Sequence, residues 1–108
     1  MTTSVVVTLR HTATHYWPDV DPMCEERYLR HEHRHVFHIT AKKQVQHDNR
    51  DIEIIALKST IKQFLRQQYG GSFGSMSCEM IARALMREFG LSYCQVLEDG
   101  ENGAEINK

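Results

Sequence analysis

Residues 30–38 read RHEHRHVFH and place four imidazoles, His31, His33, His35 and His38, within eight positions. The remaining histidines are His11, His15 and His47. An imidazole can ligate a metal, carry a proton near neutral pH, or simply be polar at a surface. These uses demand different partners. A catalytic metal needs three protein donors converging on one point with a further position open. A polar surface tract needs no convergence at all. The elements that carry the histidines therefore decide between the uses.

The segment SVVVTLRHTATH, Ser4 to His15, is rich in β-branched residues and alternates, with Val5, Val7, Leu9 and Ala13 on one face. A long irregular segment with two prolines follows. A second strand runs through HVFHITAKKQV, with Phe37, Ile39 and Ala41 on one face and His38 and Thr40 on the other. Ile54, Leu57, Ile61, Phe64 and Leu65 have helical spacing, and Gly70–Gly71 stops that helix. SFGSMS reads as a connector. A second helix near 77–89 has Ser77 as N-cap and Gly90 just past its end, with Ile81, Ala84, Leu85 and Phe89 as its buried stripe. LSYCQVLE is a strand, DGENG a hairpin turn and AEI a short last strand. The order β-β-α-α-β-β predicts one α+β domain over 1–108. In it a four-stranded antiparallel sheet is covered on one face by two helices.

Strand parity sorts the histidines, because side chains alternate across a strand. His15 shares parity with Val5, Val7, Leu9 and Ala13; His33 and His35 share it with Phe37, Ile39 and Ala41. If the two strands pair antiparallel, His15, His33 and His35 meet at one rim of one face. That is the layout of a catalytic zinc site, three imidazole nitrogens with a fourth position open. His31 has the same parity but lies nearer the loop, and is read as a neighbour or spare. His38 faces the other way. His11 is read as a pocket or core histidine, further along the apolar face.

The bulk properties narrow the class. The chain has 108 residues, 41% of them hydrophobic and 25% charged, with a formal net charge of −1. A near-neutral chain without a basic stripe lacks the footprint of a nucleic-acid binder. It has no apolar run of membrane-spanning length, and its N-terminus lacks a signal-peptide layout. Cys24, Cys78 and Cys94 are odd in number and form no CxxC pair, which suits a reducing, cytoplasmic compartment. Each is by default a small buried hydrophobe. Cys24 alone, near the histidines in a loop, has a case for reactivity.

In these residues the chain resembles the 6-pyruvoyltetrahydropterin and 6-carboxytetrahydropterin synthases, enzymes of the tunnelling (T-) fold. The family pattern is F-x-A-x-H on the first strand, H-G-H-x-[FY] on the second, a first helix entered through a segment ending L-K, a T-x-E-N-like start to the second helix, and E-T-x-x-x-G at the last hairpin. Here HTATH ends at His15, HRHVF spans 33–37, IEIIALK spans 52–58, SCEMIA spans 77–82 and EDGENGAEI starts at Glu98. The matches are in order and span most of the chain.

The resemblance implies a T-fold assembled as a homo-oligomer built from trimers, whose sheets join into a barrel. It implies zinc on His15, His33 and His35, and Glu98 holding a pterin or purine-like ring through paired N–H donors. The activity implied is that of a carbon–oxygen lyase acting on 7,8-dihydroneopterin triphosphate, on the routes to biopterin or to queuosine. The chain departs from the pattern in three places. Cys24 precedes His33 by nine residues, where the family's catalytic cysteine precedes its H-x-H by about four to six. The family's L-D-H after helix 1 is replaced by FLRQQYGGSFGSMS, without Asp or His. The glycine of H-G-H is Arg34. The base would then be Cys24, His31 or His47. Beside this enzyme stand two other readings: a divergent T-fold protein that binds a pterin or purine with different or no catalysis, and an assembly protein with a structural metal. A fourth protein ligand would favour the last.

Overall fold

The computed structural model describes residues 1–108. β1 (Thr3–His15) and β2 (His33–Val45) are 13 residues each and pair antiparallel without a break, from Thr3 opposite Val45 to His15 opposite His33. The strict alternation of apolar residues fixes that register, since a slip of one residue would turn every core side chain to solvent. β4 (Tyr93–Glu98) pairs antiparallel with β2, Phe37 lying opposite Glu98, and β5 (Asn102–Asn107) folds back on β4.

The connector between the helices contains a further strand. β3 (Ser72–Gly74) lies parallel to the end of β1, so the sheet is mixed and five-stranded, in the order β3-β1-β2-β4-β5. This corrects the four-stranded antiparallel sheet read from the sequence. Three residues are too few to display a period, and the strand is made by main-chain groups: the Thr14 and Tyr16 N–H groups donate to the carbonyls of Gly71 and Gly74, both at 2.9 Å. The α+β class stands.

α1 (Ile54–Gln68) and α2 (Cys78–Phe89) lie on the face that carries Leu9, Phe37, Ile39 and Val96. They bury Leu57, Ile61 and Leu65 from α1 and Ile81, Ala82 and Leu85 from α2 against it. Each large aliphatic chain taken from water there contributes about 1.5–3 kcal/mol. The Ser77 hydroxyl caps α2 by accepting the Met80 N–H at 3.2 Å, and Gly90, in the left-handed region at φ 60°, ends it. The helices thus cover Val7, Leu9, Phe37 and Ile39 within a single chain. The opposite face, with Thr8, Arg10, Thr12 and Gln44, is polar and exposed. No helix is long and apolar enough to cross a membrane.

Candidate metal centre

The β1–β2 register brings His15 directly opposite His33 and Ala13 opposite His35. The β2–β4 register adds Glu98, opposite Phe37 and one pleat from His35. The three imidazoles and the Glu98 carboxylate each offer a donor atom, and the four atoms lie within 4.8 Å of one another. Their rings pack edge to face: His15 and His33 centroids are 4.5 Å apart, His33 and His35 5.1 Å.

Each imidazole is held by its Nδ1. His15 Nδ1 donates to the Met76 carbonyl at 2.9 Å and His33 Nδ1 to the His31 carbonyl at 2.8 Å. His35 Nδ1 donates to Asp99 Oδ2 at 2.7 Å. A carbonyl only accepts, so His15 and His33 carry their proton on Nδ1, and in the neutral ring Nε2 is left as a lone pair. The Nε2 atoms of His15 and His35 face the Glu98 carboxylate. Tethering of Nδ1 by a carbonyl or carboxylate is the usual support of a metal-binding histidine.

The fit to a cation rests on His15. Its Nε2 is buried and has no hydrogen-bond partner. Glu98 Oε2 lies 2.9 Å away, and Glu98 Oε1 lies 3.5 Å from His35 Nε2. The first contact is short but does not have hydrogen-bond geometry. A lone pair facing a carboxylate oxygen at that distance is repulsive unless positive charge stands between them. Tetrahedral coordination with bonds of about 2.0–2.1 Å spaces its donors by about 3.3–3.4 Å. The two observed spacings bracket that value. The residues present therefore fit a divalent metal ion.

The group opens on a cleft of about 580 Å³. His15, His33 and Glu98 form part of its wall, with Tyr16, Trp17, Met76 and Met80 as apolar surfaces and Asn102 and Gly103 beside Glu98. Cys78, the first residue of α2, also lines the cleft, and its Sγ lies 3.8 Å from Glu98 Oε2. Burial, reinforced by the Glu98 and Glu79 charges, pushes the Cys78 thiol up to about 12. It stays a neutral donor to the carboxylate.

The residues proposed as the base are dispersed. Cys24 donates its thiol to the Asp21 carbonyl at 3.1 Å, in the β1–β2 loop just before the 3-10 turn Glu25–Arg30. His31 contributes its carbonyl to His33, and its side chain is exposed. His47 lies past the opposite end of β2, its Nε2 3.6 Å from Asp51. None of the three belongs to the group of four donors or lines the cleft. His11 contacts the Gly70 carbonyl at 2.7 Å through Nε2 and packs on Phe73. His38 is on the other face, against Gly100.

Sequence reasoning missed Cys78 and Asp99. Composition makes Cys78 only a small buried hydrophobe, although its position at the start of α2 sets it beside the end of β4. Asp99 follows Glu98 in the left-handed region, at φ 56°. Hydrogen bonds from His35 and from the Val36 N–H hold its carboxyl below the usual carboxylate range. The aspartate–glycine pair at a hairpin was its one visible signal. Compared with known proteins, the chain matches no family model and no curated protein.

Proposed function

We propose that the chain is a zinc-dependent enzyme of the 6-carboxytetrahydropterin or 6-pyruvoyltetrahydropterin synthase type, acting on a pterin such as 7,8-dihydroneopterin triphosphate. The observation that carries this reading is the convergence of three Nδ1-tethered imidazoles and Glu98, with His15, His33 and Glu98 at the wall of an open cleft. Three nitrogens and a carboxylate suit zinc. When bound, zinc polarises the oxygens of a substrate side chain and eases proton abstraction at the adjacent carbon. His15, His33 and His35 would hold it. Glu98 faces the cleft with a side chain 30% exposed, where a carboxylate can accept the paired N–H donors of a pterin or guanine edge. Trp17 and Met80 offer apolar surface to a flat ring. Cys24 and His31 belong to the same β1–β2 loop as Trp17, so the base is sought there rather than at His47. The assembly proposed is a cytoplasmic homo-oligomer built from trimers. Two features support it: the unpaired outer edges of β5 and of most of β1, and the uncovered polar face.

Glu98 also favours a second reading. As a fourth protein donor it would close the metal's coordination, which favours an assembly protein with a structural metal; with Glu98 free, a T-fold protein that binds a pterin or purine with different or no catalysis remains.

Metal analysis and calorimetry separate these readings. About one zinc per chain is expected, with binding of pterins or guanine nucleotides that Glu98→Gln weakens by about 1–3 kcal/mol, the cost of an unpaired donor. Absence of metal sinks both readings. Metal without ring binding leaves the structural site alone, and ring binding without turnover leaves the divergent binder.

A further inference from the structure

The three imidazoles are not held alike. His15 and His33 donate their Nδ1 protons to neutral carbonyls, those of Met76 and His31. His35 donates to a carboxylate, Asp99 Oδ2, at 2.7 Å. Asp99 is itself clipped to β2 by two further bonds: its N–H donates to the Val36 carbonyl at 2.8 Å, and its Oδ1 accepts the Val36 N–H at 3.0 Å. Both carboxylate oxygens and the backbone are therefore fixed, and the side chain cannot turn away from His35 without breaking the clip. A negative acceptor on Nδ1 raises the electron density at Nε2 more than a carbonyl does, and so strengthens that nitrogen as a ligand.

We infer that Asp99 is a positioning residue for the metal, which makes His35 the strongest and best-oriented of the three imidazole ligands. The inference rests on the metal site proposed above but not on the identity of any organic ligand. Its charge matters as well. Glu98 and Asp99, adjacent in sequence, together balance the two positive charges of a divalent ion, one from beside the centre and one through His35. Loss of Asp99 leaves the loaded centre with one positive charge more.

The left-handed backbone at Asp99 suggests a clean variant. Asparagine tolerates that conformation nearly as well as aspartate, and its side-chain oxygen can still accept a hydrogen bond. Asp99→Asn therefore keeps the turn and removes the charge. Glu101→Gln removes the same charge from the same hairpin, where Glu101 makes only a backbone contact to Glu98; it serves as the control.

Chelator competition with zinc on the purified chain should show Asp99→Asn weakened by roughly 10–100-fold, with Glu101→Gln within about twofold of the parent. In the metal-free protein, nitrogen-15 spectra should place the His35 proton on Nδ1 in the parent and give a mixture of tautomers in Asp99→Asn. A structural role alone would not move that signal. Because the variant also loses a charge-assisted hydrogen bond, a somewhat lower melting temperature of the metal-free form is expected, and the chelator comparison is made well below it. Equal zinc affinity in parent and Asp99→Asn, or an equal loss in Glu101→Gln, overturns the inference while leaving the site. A parent that binds no zinc overturns the site and the inference together.

Discussion

Gly103 offers a severe test of how the centre is built. It pairs with Leu97 in the β4–β5 hairpin, next to the Glu98–Asn102 pair, and its own surface lines the cleft. A methyl group placed there would collide with the Val96 carbonyl oxygen and lie 2.8 Å from the α-carbon of Leu97. Both are main-chain atoms and cannot rotate aside. The approach to Leu97 by itself is roughly 0.5 Å or more short of ordinary carbon–carbon separation, so Gly103→Ala must part the strands or twist the turn. Overpacking of this kind costs about 1–3 kcal/mol, which in a domain of this size lowers Tm by at least about 4 °C. The displacement falls on the neighbouring pair and moves Glu98 and Asp99, while metal donors tolerate only about 0.2 Å. Zinc affinity should therefore fall further than the loss of stability explains. The assay is thermal melting with and without zinc, paired with chelator competition well below the melting range. A variant with unchanged Tm, or one that melts earlier yet binds zinc as tightly as the parent, would refute the claim that the hairpin positions the carboxylates.

His33→Ala or His35→Ala should abolish zinc binding and His15→Ala weaken it strongly, whereas His38→Ala on the opposite face should leave it unchanged; elemental analysis of each purified variant decides. Thiol titration of the native protein near pH 8 should count one reactive cysteine, Cys24. Cys78 and Cys94 are buried and their thiols are pushed up to about 12, so rapid labelling of all three would contradict the packing. Hydrogen bonds from Tyr93 and Gln95 hold the Glu105 carboxyl below its ordinary value. The stability this confers is present above the unfolded carboxylate range and is lost as pH falls through the lowered value. Glu105→Gln should thus be less stable than the parent at neutral pH and converge with it in strong acid, as followed by denaturant melts across pH; a constant difference would exclude the linkage.

What could be read from the sequence follows from periodicity. A period of two placed His15, His33 and His35 on one face, because β1 and β2 are long enough for alternation to be unambiguous. The same rule locates Glu98 on that face only once β4 is known to pair with β2 as Phe37 opposite Glu98; parity inside one strand says nothing about register to another. The place of Glu98 among the four converging donor atoms was hidden for that reason. β3 escaped because its three residues make main-chain bonds and bear no pattern. Asp99 escaped because its contact depends on a left-handed turn residue reaching back to the neighbouring strand β2. Cys78 was hidden by the fold's three-dimensional closure, which brings the start of α2 beside the end of β4.

The continuous β1–β2 ladder has a consequence for the order in which the protein is made. Ribosomal synthesis delivers His15, His33 and His35 early, and one antiparallel hairpin is enough to bring their rings together. The carboxylates come much later: Asp99 lies 64 residues beyond His35. A nascent chain can therefore present a three-nitrogen claw to passing cations before the residues that would balance their charge exist. The last hairpin is placed as a latch, since its arrival adds the Glu98 carboxylate to the group and pins His35 through Asp99. An ion bound by the three imidazoles alone would lack those carboxylates, and the emerging chain would exchange it more readily than the finished one.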